Sequence, residues 1–116
     1  MIDLKALNKE QRLAVSTLDG PVLCIAGAGS GKTMTLTYRV ANLIENGVNP
    51  ASILLLTFTK KAANDMLQRV KKLIGDLGNT VEGGTFHHFA AITISKYCER
   101  ININKFFTLK ILLIFI

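Results

Sequence analysis

Apolar positions along this chain follow two spacings, and the switches between them divide it into elements. Asn8 followed three residues later by Gln11 is the signature of a helix start, and Leu7, Ala14, Val15 and Leu18 continue a helical stripe until Asp19-Gly20-Pro21 breaks it. Val22 to Ala26 is then an unbroken apolar run ending in a glycine-rich turn, which predicts a buried strand. From Lys32 the spacing returns to that of a helix through Leu36, Val40, Leu43 and Ile44, with Gly47 as the stop. After Asn49-Pro50, Ile53 to Thr57 predicts a second buried strand, and Ala63, Met66, Leu67, Val70, Leu73 and Ile74 mark one face of a long helix. Residues 75–84 predict a loop with a short strand near Val81, and Phe86 to Tyr97 a last helix. Strands alternating with helices at these lengths predict an α/β fold, a parallel sheet covered by helices on both faces. No internal repeat or low-complexity linker interrupts the pattern.

Composition narrows the class. The chain of 116 residues has room for one small domain, and 49% hydrophobic against 19% charged residues places it among folded chains rather than disordered ones. The net charge of +6 points to an anionic partner, and the bases are clustered. Lys60, Lys61, Arg69, Lys71 and Lys72 face only Asp65 in their stretch, and four bases after residue 95 face only Glu99. A solvated helix face is the plain alternative for each cluster. Cys24 and Cys98 have no metal-ligand spacing, and their apolar or mixed surroundings predict reduced, mostly buried thiols in a cytoplasmic protein. Residues 1–8 lack the apolar stretch of a signal peptide, and residues 111–116 are too short an apolar run to cross a bilayer.

Candidate chemistry lies between the first predicted strand and the helix after it. Ala26, Gly27, Ala28, Gly29, Ser30, Gly31, Lys32 and Thr33 form a loop of the kind that turns successive backbone N–H groups toward a phosphate, with the positive end of a helix behind them. Glycines let the backbone approach closely. Lys32 is placed to reach the β- and γ-phosphates and the Thr33 hydroxyl to take one position on Mg²⁺. The first glycine of the usual GxxxxGK[ST] pattern is Ala26 here, so the motif reads [AG]xxxxGK[ST]. The bland alternative is a glycine-rich turn that only joins strand to helix.

The flanking segments add to this. Leu7-Asn-Lys-Glu-Gln11, the loop Ala26 to Thr33, Leu54-Leu-Leu-Thr-Phe-Thr-Lys-Lys-Ala-Ala63 and Gly84-Thr-Phe-His-His-Phe-Ala90 occur in that order. Together they resemble the Q motif, Walker A, motif Ia and motif Ib of UvrD/Rep/PcrA-type superfamily 1 DNA helicases, over about residues 4–108. The resemblance implies a partial RecA-like P-loop NTPase fold, with residues 1–109 as the opening part of the first motor domain and 110–116 as an atypical apolar tail. It implies ATP and Mg²⁺ as cofactors, single-stranded DNA as partner and a role in unwinding, as in DNA repair. It places Gln11 on the adenine edge, where the helix-capping role of Asn8 and Gln11 is the competing use, and Met34 beside the base. It makes Lys32 and Thr33 the groups that take part in hydrolysis. Thr57, Phe58, Thr59 and Lys60, with Thr85, Phe86 and His87, become contacts to the DNA strand. An exposed aromatic suits that task because every base has a face to stack; a core aromatic is the other reading of Phe58. Adjacent His87 and His88 diverge too far on a helix to form a metal pair.

The chain also departs from the family pattern. Met34 stands where the family commonly has an adenine-stacking Arg, so weaker adenine binding is expected. Arg39 fits a recurring basic position for which a structural salt bridge is the expected role. Lys60 replaces the usual Asn of motif Ia and His88 the usual Ser of motif Ib. The Asp-Glu pair and the arginines that complete hydrolysis in the family have no counterpart: Glu45, Asp65, Asp76, Glu82 and Glu99, the acids after Lys32, all fall in predicted helices or loops. Asn104 to Leu109 still resembles the family's next strand, and Lys110 with the apolar end replaces its continuation, the pattern of a frameshift or early stop. A non-catalytic nucleotide- or strand-binding remnant, a fragment of a RecB/AddA-like helicase-nuclease, and an unrelated P-loop enzyme such as a small kinase are the alternatives. The last leaves the Gln11, Phe58 and His87 segments without a purpose.

Overall fold

The computed structural model describes residues 2–104. The Asn104–Leu109 strand expectation, beyond its first residue, and the 110–116 tail lie outside them. Four α-helices and two strands follow in the order α1 (Lys9–Ser16), α2 (Lys32–Glu45), β1 (Leu54–Thr57), α3 (Lys60–Ile74), β2 (Glu82–Thr85) and α4 (Phe86–Tyr97). Short 3₁₀ turns at Leu4–Ala6, Pro50–Ser52, Gly75–Thr80 and Cys98–Ile101 link them. The class is α/β, as expected.

β1 and β2 pair in parallel, Leu54 with Glu82 through Thr57 with Thr85, and α3 makes the crossover. The apolar stripe read from the sequence is the face that α3 buries: Ala63, Met66 and Val70 are inside, with Leu67 and Ile74 packed around them. Val40 and Ile44 of α2, Leu55 of β1 and Val81 complete this core. β2 has two glycines at its centre because helices lie close on both sides, α4 at Gly84, where a Cβ would stand 3.2 Å from His88 Cδ2, and α3 at Gly83. A Cβ on Gly83 would stand 3.0 Å from both methyls of Leu67.

Two expectations are corrected. The run Val22 to Ala26 is not a strand: among the described residues only β1 and β2 pair, and Leu23 and Ile25 are 85% and 91% exposed. An apolar run carries the signal of a buried strand, but a ladder partner makes it one, and none of the described residues supplies it. Helices flank the sheet as expected: α3 packs on the face of Leu55 and Gly83, and His88 of α4 lies against Gly84 on the other face. Leu55 and Thr57 are buried whereas Leu54, pointing the other way, is 42% exposed. Cys98 is buried as expected, but Cys24 is exposed because it belongs to the unpaired run. In addition Glu82, expected in a loop, opens β2.

Candidate nucleotide and nucleic-acid site

The phosphate loop takes its shape from local bonds. The Ser30 N–H and hydroxyl both donate to the Gly27 carbonyl, at 3.3 and 2.5 Å, closing a turn over Ala28 and Gly29. Gly31 then adopts φ +81°, ψ 26°, a left-handed conformation that suits glycine, and α2 starts at Lys32. No side chain caps α2. Its first-turn N–H groups, with the positive end of the helix dipole, face the loop, which is the arrangement that receives a phosphate. Lys32 and Thr33 stand exposed in that first turn, and Ala26 to Ser30 are all exposed.

Gln11 joins this loop to α1. Its Oε1 accepts from the Asn8 N–H at 2.9 Å while Asn8 Oδ1 accepts from the Gln11 N–H at 2.8 Å, the reciprocal capping box. Its Nε2 donates to the Ser30 carbonyl at 2.9 Å. A primary amide has two donor hydrogens and two acceptor lone pairs. Capping and loop contact therefore use one of each and leave one donor and one acceptor, the complement of the N6 and N7 edge of adenine. The two competing roles of Gln11 are compatible.

Gln11, Ser30 and Lys32 line one open cleft of about 730 Å³, together with Ala26 and the apolar Leu13, Val22 and Leu36. Glu10 also lines it, a residue that sequence reasoning passed over although it adjoins Gln11. Met34 is half-buried beside Gly31. Among the described residues no group of three or more His, Cys, Asp or Glu could hold a metal ion. The Thr33 hydroxyl alone fits an ion that arrives with the phosphates, since Mg²⁺ keeps several waters and takes few protein ligands.

Among the described residues Arg39 makes no salt bridge, contrary to expectation. Its Nη1 donates to the carbonyls of Ala14 and Thr17, and Asn42 Nδ2 donates to the Val15 carbonyl at 3.0 Å. These are carbonyls at the C-terminal end of α1 that the helix itself leaves without donors.

The second cluster is at the C-terminal ends of the strands. Parallel register sets Thr57 beside Thr85, so the residues that follow, Phe58 and Phe86, become neighbours with ring centroids 5.5 Å apart and planes tilted by 45°. Phe58 is 78% exposed and Phe86 46%, so neither is a core aromatic. Thr59 and Thr85 cap the next helices, their hydroxyls accepting from the N–H groups of Ala62 and His88 at 3.1 Å each. Thr57 is buried, and its hydroxyl donates to the Thr59 carbonyl. The threonines therefore shape the turn, while Phe58, Lys60, Phe86 and His87 stand exposed around it. Of the basic residues on α3, Lys60 and Lys61 join this surface, whereas Lys71 and Lys72 sit in the last turn, where the helix dipole favours them. No helix among the described residues is long and apolar enough to cross a membrane.

Residues 7–111 match the family model described as UvrD/REP helicase N-terminal domain. The ATP-dependent DNA helicase PcrA of Staphylococcus aureus (strain Mu50) is 45% identical over 107 residues, covering 91% of this chain and 15% of that protein. The protein of the same name from Staphylococcus epidermidis (strain ATCC 12228) is 44% identical over 107 residues, with the same shares. The chain thus spans about 15% of the length of the curated relatives it matches.

Proposed function

Since the chain belongs to the UvrD/REP helicase N-terminal domain family, we propose that it is the opening part of an ATP-dependent DNA helicase motor, carrying the nucleotide cradle and the first contacts to single-stranded DNA. One observation carries the nucleotide half: an uncapped helix N-terminus behind a glycine in left-handed conformation, with the Gln11 amide bonded to the same loop. In this reading the loop Ala26–Gly31 surrounds the phosphates, Lys32 offsets their charge, Gln11 meets the adenine edge and Met34 lies near the base. The Thr33 hydroxyl holds Mg²⁺, which would screen the phosphate oxygens. At the strand ends Phe58 and Phe86 form a tilted pair on which bases stack, Lys60 lies against the phosphodiester backbone and His87 beside it, with Thr57, Thr59 and Thr85 setting the turns. A cytoplasmic protein acting on DNA in repair, and single strands as the preferred form, belong to the same proposal.

Calorimetric titration of the chain with Mg-ADP tests it. Weak binding that disappears in Lys32→Ala is expected; equal affinity in both proteins would overturn the phosphate assignment.

A further inference from the structure

Within that nucleotide reading, on which it rests, we propose that Arg39 and Asn42 are positioning residues that set adenine selectivity by holding α1, and with it Gln11, over the phosphate loop. α1 has only eight residues, below the length at which an isolated helix persists in water. Its order comes from the burial of Ala14 and Val15 and from hydrogen bonds at its two ends. At the N-terminal end, Gln11 closes the capping box and bonds the Ser30 carbonyl. At the C-terminal end, Ala14, Val15 and Thr17 present carbonyls that cannot be satisfied within the helix, and Arg39 and Asn42 reach across from α2 to satisfy them. Arg39 also sets a positive charge against the negative end of the α1 dipole.

The geometry makes these links selective rather than general. Gln11 and Ala14 are three residues apart, about 4.5 Å along the helix axis, so fraying or tilting of the C-terminal end moves the amide itself. The phosphate-facing groups of α2 belong to a different element, which is anchored by Val40 and Ile44 in the core with Met66 and Val70 as well as by its links to α1. Lys32 and Arg39 are seven residues apart on α2, two turns along one face, so a single helix both presents the phosphate-binding lysine and clamps the base-facing element. Met34, the other residue beside the base in this reading, has only a weakly accepting thioether and cannot replace the amide. Guanine presents an acceptor where adenine presents its amino group, so a displaced amide loses the distinction between them while the phosphates still bind.

The test compares Mg-ADP, Mg-GDP and Mg-tripolyphosphate affinities for the full chain and for Arg39→Met, Asn42→Ala, Gln11→Ala and the double variant Gln11→Ala/Arg39→Met, with helicity monitored by circular dichroism. Wild type is expected to prefer ADP over GDP by on the order of tenfold, the discrimination of one bidentate amide contact. Arg39→Met should bring that ratio close to that of Gln11→Ala while tripolyphosphate affinity stays within about twofold. Asn42→Ala, losing one neutral bond, should give a smaller fall, and it keeps the test open if Arg39→Met does not fold. In the Gln11→Ala background Arg39→Met should change the ratio no further. An unaltered ratio in both single variants, an equal loss of tripolyphosphate and ADP affinity, or a wild type without adenine preference would overturn the proposal. Failure of the nucleotide reading itself shows separately, as tripolyphosphate binding that survives Lys32→Ala.

Discussion

Replacing Gly31 by alanine separates two demands that meet at one atom. The first is backbone: at φ +81° an L-residue is strained by about 1–2 kcal/mol. The second is contact: the new Cβ would lie 2.8 Å from Gln11 Nε2. That nitrogen ends a flexible side chain and can swing away, so the cost is not the overlap but the bonds lost in moving. The Ser30 contact, and the capping bond to Asn8 if the whole amide turns, are each worth about 0.5–1.5 kcal/mol. Together the terms come to about 2–5 kcal/mol when both bonds are lost, which bounds the loss in Mg-ADP affinity at roughly thirty- to several thousandfold. Gly29 is the internal control, because its φ of +73° carries the same backbone strain while nothing lies within 4 Å of its virtual Cβ. Calorimetry on Gly29→Ala, Gly31→Ala and each combined with Gln11→Ala isolates the contact term. Gly31→Ala should exceed Gly29→Ala by about fivefold or more, an energy of about 1 kcal/mol, and the excess should vanish once Gln11 is alanine. Equal losses at the two glycines, or an excess that persists without Gln11, would refute the link between the amide and the loop.

Phe58→Ala should weaken single-stranded DNA binding by about 1–3 kcal/mol, with the slope of log affinity against log salt unchanged, whereas Lys60→Ala should lower that slope by about 0.7; fluorescence anisotropy at several salt concentrations distinguishes them. The Ile2 N–H, 2.8 Å from Glu45 Oε2, holds the Glu45 carboxyl below its ordinary value of 4.5. A depressed folded-state pKa stabilises the fold above 4.5 and loses that effect as pH falls through the folded value, so Glu45→Gln should lower Tm at pH 7 and progressively less as pH falls below 4.5. Residues 1–116 alone should show no DNA-stimulated phosphate release, since among the described residues β1 and β2 end in Thr57 and Thr85 and the one strand acid, Glu82, is at the opposite end of β2; release that disappears in Lys32→Ala would contradict this.

Helices were legible in the sequence wherever their information was local. The Asn8–Gln11 box, the stripe from Ala63 to Ile74 and the span Phe86 to Tyr97 appear as read, because capping and period are written within one element. Strands were legible only in part. Ile53 to Thr57 and Val22 to Ala26 have the same apolar character, yet only the former region contains a strand, because a strand is a relation between two segments and one segment's composition does not contain it. The same limit applied to Leu54, whose exposed face could not be told from the buried face of Leu55 in a continuous run of leucines. Arg39 was legible as a basic position but not as a cap, since its partners are backbone carbonyls 22 and 25 residues away and carbonyls carry no sequence signature.

The two halves of the site are consequently held by different forces. Around Phe58 and Phe86 the parallel register, two N-caps and the α3 core fix the turns, so the aromatic pair rests on elements packed against buried Leu55, Met66 and Val70. The phosphate loop has no ladder behind it among the described residues. Its approach, Pro21 to Ala26, is exposed throughout, and its attachment runs through α2 on one side and the Gln11 amide on the other. Apolar packing spreads its contribution over many atoms, whereas a side-chain hydrogen bond concentrates about 1 kcal/mol in a single contact. Single substitutions at Gln11, Gly31, Arg39 or Asn42 therefore act on the nucleotide half out of proportion to their size, while the strand-end half tolerates the loss of any one polar group as long as its core is intact.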